Sequence, residues 1–136
     1  MARKIIFGIL FFIWTILLVL ISVLPNANNL LDQDLSEFRW DYLEHFLFYF
    51  ILTFFYVLWR GNPNYYLRIT EIILFLIAGF IFCWLTEYIQ VFVPGRSFNT
   101  LDMVFNMAGM MLGIIIIYYL IIRILIRNYF NLKSIL

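Results

Sequence analysis

An all-α membrane protein, a four-helix transmembrane bundle, is the fold class that this sequence predicts, and three observations predict it. Hydrophobic residues make up 65% of the 136 residues. Only 12% are charged, against about 25% in a soluble domain. The apolar residues gather into four stretches near bilayer length, separated by short polar breaks that carry proline, glycine and much of the charge. A water-soluble fold of this length has too little interior to hide so much apolar surface.

The first stretch, residues 5–24, is uninterrupted by charge. At about 1.5 Å per residue it spans one hydrocarbon core. Arg3 and Lys4 precede it, as in a signal peptide, but the apolar run exceeds the usual length and Pro25 stands where a cleavage site needs a small residue. An uncleaved signal-anchor helix is expected. Residues 25–40 form a polar, then acidic connection with Asp32, Asp34 and Glu37. Within it Leu30, Leu31, Leu35 and Phe38 have near-helical spacing, which predicts a short interfacial helix.

The second span is expected at about 43–59, and it reaches membrane thickness only if the Asp41–His45 end enters the interface. Arg60-Gly61-Asn62-Pro63-Asn64 then reads as a turn. The third span covers about 69–90 and is broken by Pro94-Gly95, and the fourth covers about 101–122 before Arg123 and Arg127. Trp40, Trp59, Tyr65, Tyr66 and Tyr88 fall near the expected interfaces, where amphipathic rings collect. No repeat or second domain is visible, so residues 1–136 read as one helical bundle.

Orientation follows from the cations. The N-terminus, the second loop and the C-terminus fall on one side and hold Arg3, Lys4, Arg60, Arg68, Arg123, Arg127 and Lys133, seven of the nine Lys and Arg residues; the other side holds only Arg39 and Arg96. Both termini are therefore expected in the cytoplasm of a cell with this inner membrane, with the acidic loop and the Pro94-Gly95-Arg96 loop outside. Net charge is +1, which gives no electrostatic reason to expect a nucleic-acid partner. Cys83 is the single cysteine and sits in an apolar run, so it reads as packing, and one chain offers neither a disulfide framework nor a thiolate cluster.

Placed on this topology, the polar residues gather at one membrane level. Asp41 and His45 are four apart and share a helix face, which Tyr49 extends by one turn. Glu87 and Gln90 share a face at the end of the third span, and Arg96 lies just beyond. Asp102, Asn106, Gly109 and Gly113 form one stripe on the fourth helix, polar at the outer end and small below. The glycine pair is a small-xxx-small pattern whose first reading is close helix packing, which would press Asp102 and Asn106 against helices two and three. The opposite ends show little beyond arginines and an expected Arg68–Glu71 surface pair. Ionisable groups at membrane depth are costly and mark a bundle interior, a partner or a water-filled cavity.

These motifs resemble the VanZ-like family, named for a determinant of glycopeptide (teicoplanin) resistance. The matching residues are Asp41, His45-Phe46 and Tyr49, then Glu87 and Gln90, then Pro94-Gly95-Arg96, then Asp102, Asn106, Gly109 and Gly113. They follow the family pattern D-K-x-x-H-F-x-x-Y, E-x-x-Q, P-G-R and D-x-x-x-N-x-x-G-x-x-x-G in order, over about half the chain. One departure is that Tyr42 stands where the family often has lysine. The resemblance implies a single VanZ-like domain in a bacterial cell-envelope protein linked to lipoglycopeptide tolerance, and it implies no particular reaction.

Three readings of the polar cluster follow from its residues. In the first it is a structural network that locks the helices together. In the second it binds a lipid head group or a peptidoglycan precursor in the outer leaflet. Arg96 would then grip phosphate or carboxylate, and Gln90, Asp102 and Asn106 would meet hydroxyls and amides. In the third it is an enzyme acting on such a lipid, with His45 as acid or base, Asp41 orienting its ring, Glu87 as proton donor and Arg96 stabilising negative charge. His45, Glu87 and Asp102 are the set considered for a divalent metal, but their spacing is no recognised signature, and neither metal nor cofactor is expected. A pore or transporter is disfavoured because no polar path crosses the mid-membrane.

Overall fold

The structure, a computed structural model, describes residues 2–24, 40–61 and 66–133, without the side chains of Trp40 and of residues 121–133. The expected interfacial helix, Arg39, residues 62–64 of the expected turn and Tyr65 lie outside the described residues, as do the side chains of Arg123, Arg127 and Lys133. The described residues form four α-helices: α1 Ala2–Val23, α2 Trp40–Arg60, α3 Ile69–Gln90 and α4 Thr100–Lys133. All four contain a stretch long and apolar enough to cross a membrane.

The helix ends follow local chemistry. α1 stops just before Pro25, which cannot continue the hydrogen-bond ladder. α2 starts at Trp40, earlier than the apolar run alone suggests, and so carries Asp41 in its first turn. After α3, Val93 N donates to the Gln90 carbonyl and Arg96 N to the Val93 carbonyl, and Gly95 adopts φ 78°. That left-handed turn suits glycine and sends the chain back toward α1. α4 runs to Lys133 rather than ending near 122. The physical reason is that Arg123 and Arg127 end a membrane span but not a helix: arginine is a good helix former, and no glycine or proline interrupts residues 114–133.

The helices form a ring in the order α1–α2–α4–α3, with the most extensive packing between α2 and α4. α2 and α4 run parallel as neighbours, and glycines bring them together. A Cβ on Gly109 would run into the Phe46 carbonyl oxygen, and one on Gly113 would lie 3.0 Å from Thr53 Cβ. The core between helices contains Tyr49, Leu52, Phe75, Cys83 and Met110, and Tyr56 of α2 stacks on Phe75 of α3 with ring centroids 3.9 Å apart. Cys83 is fully buried in that core, in keeping with packing. Outward, large apolar side chains such as Ile9, Leu74, Phe80 and Ile115 are exposed, as a lipid-facing surface requires.

The end away from the polar cluster holds cations and aromatic rings. Arg3 donates to the Gly61 carbonyl at 2.9 Å, and Arg60 lies over the Trp59 ring. Glu71 does not find Arg68 as its ion-pair partner: Arg60 Nη2 meets Glu71 Oε1 at 2.9 Å, while Arg68 contributes its backbone N–H to Glu71 Oε2. Arg68 precedes the first turn of α3, so its backbone N–H reaches the carboxylate that its side chain was expected to meet.

Candidate functional site

Four helix ends meet at the other pole: the C-termini of α1 and α3 and the N-termini of α2 and α4. Asp41 and Asp102 occupy the first turns of α2 and α4, where the partial positive charge of a helix N-terminus favours carboxylates. Asn99 caps α4 by accepting the Leu101 N–H at 3.0 Å, and its Nδ2 donates to Asp102 Oδ1, also at 3.0 Å. This fixes the Asp102 carboxylate before any tertiary contact is considered.

His45 is the hub. Its Nε2 lies 3.6 Å from Asp41 Oδ1 on its own helix and 3.7 Å from Asp102 Oδ2 on α4. Its Nδ1 is 3.1 Å from Asn106 Oδ1, an amide acceptor that suits the tautomer with its proton on Nδ1. The parallel, glycine-mediated contact between α2 and α4 is what places Asp102 and Asn106 against His45. The expected pressing of the stripe against helix two is thus observed.

A second polar group sits beside the first. Gln90 Nε2 donates to Glu87 Oε1 at 3.1 Å, and Arg96 Nη1 donates to Gln90 Oε1 at 3.2 Å. The rest of the Arg96 fork turns to α1: Nε donates to the Leu24 carbonyl at 2.9 Å and Nη2 to the Ile21 carbonyl at 3.4 Å. A cation beside the last carbonyls of a helix C-terminus is favourable. Glu87 is fully buried, and Asp102, Asn106 and Gln90 are nearly so. Asp102, Asp41 and Arg96 are the charged neighbours that act on Glu87.

The seven residues singled out from sequence therefore share one pole, divided into a His45 group with Asp41, Asp102 and Asn106 and a Glu87–Gln90–Arg96 relay. Two buried atoms find no hydrogen-bond partner among the described residues, Glu87 Oε2 and Asn106 Nδ2. A cavity of about 40 Å³ lies here, with Asp41, Glu44, His45, Gln90, Arg96 and Asn106 among its lining, together with residues of α1 and with Phe48, Tyr49 and Thr86. It is large enough to hold an ordered water.

Tyr49 belongs to the core. Its hydroxyl lies 3.2 Å from Thr86 Oγ1, and because the Thr86 hydroxyl turns back to the Phe82 and Cys83 carbonyls, Tyr49 is the donor. Tyr42 is buried and stacks on Phe105 with centroids 5.0 Å apart. Four polar residues at this pole escaped the sequence reading: Asn99, Thr86, Glu44 and Ser22. Asn99 had a usable signal, an Asn before an apolar run with an acid three residues on. Thr86, Glu44 and Ser22 had none beyond being polar.

The fold and the site together define a multi-pass membrane protein with a small cavity, lined in part by polar side chains, at one end of its bundle. The chain belongs to the VanZ/LLP1 family, whose model matches residues 5–123. No curated protein sequence and no solved structure matches it.

Proposed function

We propose that the chain is a bacterial cell-envelope protein of the inner membrane whose polar cavity, at the non-cytoplasmic face, binds the head of an outer-leaflet lipid or lipid-linked peptidoglycan precursor. Tolerance of teicoplanin-type glycopeptides would follow from shielding or redistributing that lipid. The observation that supports this reading is the cavity, lined by Asp41, His45, Gln90, Arg96 and Asn106 within an otherwise apolar bundle. Its small volume suits one inserted polar substituent, with the rest of the head group at the mouth. Carboxylate, amide and guanidinium groups are the donors and acceptors that read hydroxyl, amide and acidic substituents.

The outward orientation rests on the cations. Arg3, Lys4, Arg60 and Arg68 all lie at the opposite pole, where cytoplasmic loops concentrate positive charge. Acid–base catalysis through His45 has weaker support. Both ring nitrogens face protein groups, and Glu87 is sealed and does not line the cavity.

The test is growth inhibition by teicoplanin in a susceptible bacterium. Cells making the wild-type chain are expected to need several-fold more antibiotic than cells without it. His45→Gln, at equal membrane abundance, is expected to give no protection. Equal protection by wild type and variant would remove the site from the function.

A further inference from the structure

The geometry points to a divalent transition-metal site of the zinc class formed by Asp41 Oδ1, His45 Nε2 and Asp102 Oδ2. These three ligand atoms lie within 4.8 Å of one another. The set differs from the one the sequence suggested, with Asp41 in place of Glu87.

Three features carry the assignment. First, the two imidazole–carboxylate spacings are wrong for hydrogen bonds and close to right for ligands, so that binding an ion asks only the two carboxylates to draw together. The imidazole nitrogen stands 3.6 and 3.7 Å from the two carboxylate oxygens, beyond hydrogen-bond range. Donors at about 2.1 Å from a tetrahedral ion are separated by about 3.4 Å. Second, the other ring nitrogen is held as a metal-bound histidine usually is. Nδ1–H donates to the Asn106 carbonyl oxygen at 3.1 Å, which turns the Nε2 lone pair toward both carboxylates. Third, Asn106 is 1% exposed and lines the cavity beside Asp41 and His45, yet its Nδ2 finds no acceptor among the described residues. A buried donor of that kind marks an incomplete site. An oxygen on the fourth position of the ion, from water or from a ligand, would satisfy it. One imidazole with two carboxylates suits zinc or manganese better than calcium or magnesium, which take oxygen ligands.

The cation stands on this geometry alone. Its use in holding a phosphate or carboxylate oxygen of a head group rests on the binding reading above.

His45 is the only histidine in the chain, so one imidazole reports on the site. The experiment uses untagged full-length protein in detergent, stripped of metal and labelled with 15N at histidine, with Zn2+ alone as the probe. The expected result is about one zinc per chain, with Nε2 shifted by the metal and Nδ1 still protonated. Asp102→Asn and, at the more exposed position, Asp41→Asn should each weaken zinc binding by about tenfold or more. Glu71→Gln at the far pole should leave it unchanged. An imidazolium protonated at both nitrogens in the presence of Zn2+ would overturn the assignment in favour of an ion triad. So would zinc binding equal in wild type and both aspartate variants, or a ring that does not respond. Because lipid is absent, failure here leaves the head-group reading standing, and loss of head-group binding leaves the metal result standing.

Discussion

Arg96 donates through Nε to the carbonyl of Leu24 at 2.9 Å, tying the loop after α3 to the last turn of α1 across 72 positions of sequence. With the contact to Ile21, the guanidinium closes the C-terminus of α1 while its third arm holds Gln90. Arg96 is therefore a brace for the cavity wall as well as part of its lining. Arg96→Ala is expected to lower stability by about 1 kcal/mol, a modest figure because the contacts to α1 are solvent-accessible. Lysine should rescue it poorly, since an ammonium cannot fork between two carbonyls and an amide. Thermal unfolding in detergent checks this, and an unchanged melting temperature in the alanine variant would contradict it.

Gly109 and Gly79 give a paired prediction. A Cβ at Gly109 meets the Phe46 backbone carbonyl, which cannot move without separating α2 from α4. Gly109→Ala should cost about 1–3 kcal/mol and draw Asp102 away from His45. A Cβ at Gly79 meets the tip of the flexible Met110 side chain. Gly79→Ala should therefore stay within about 1 kcal/mol of wild type, helped by the better helix propensity of alanine. Unfolding of both variants in the same detergent decides the point, and equal losses would contradict the assignment of the close contact to α2 and α4.

Much of this was readable in the sequence, for physical reasons that also explain what was not. The spans were legible because runs of bilayer length have one stable solvent. The polar pole was legible because Asp41 with His45, and Asp102 with Asn106, repeat at one helical turn. Pairing between elements was not. Helical spacing says that Asp102 faces some neighbour, but only the α2–α4 contact makes that neighbour His45. The same holds for Arg96, whose partners are backbone carbonyls and carry no residue signature. Local proximity also misled: Arg68 is three residues from Glu71, yet the ion pair forms with Arg60 at the end of α2. The length of α4 was missed because hydropathy reports where lipid ends, not where helix ends.

The orientation proposed for the cavity predicts opposite labelling at the two poles. In a Cys83→Ala background, which removes the buried native thiol, a membrane-impermeant maleimide added to intact cells should label Ser97→Cys. Both Ser97 and Arg68 are exposed and lie outside the candidate membrane spans, so accessibility alone does not separate them. Arg68→Cys at the other pole should react only after permeabilisation. The reverse pattern would place the cavity in the cytoplasm and end the outer-leaflet reading.

The most direct test of the central claim is native mass spectrometry of the protein extracted with its own lipids, beside His45→Gln. The account predicts a discrete lipid adduct, with the mass of a phosphate- or sugar-bearing head group, on the wild type and its loss in the variant. The same adduct on both proteins, or both equally bare, would contradict head-group binding at His45 and leave the polar pole as a brace between helices.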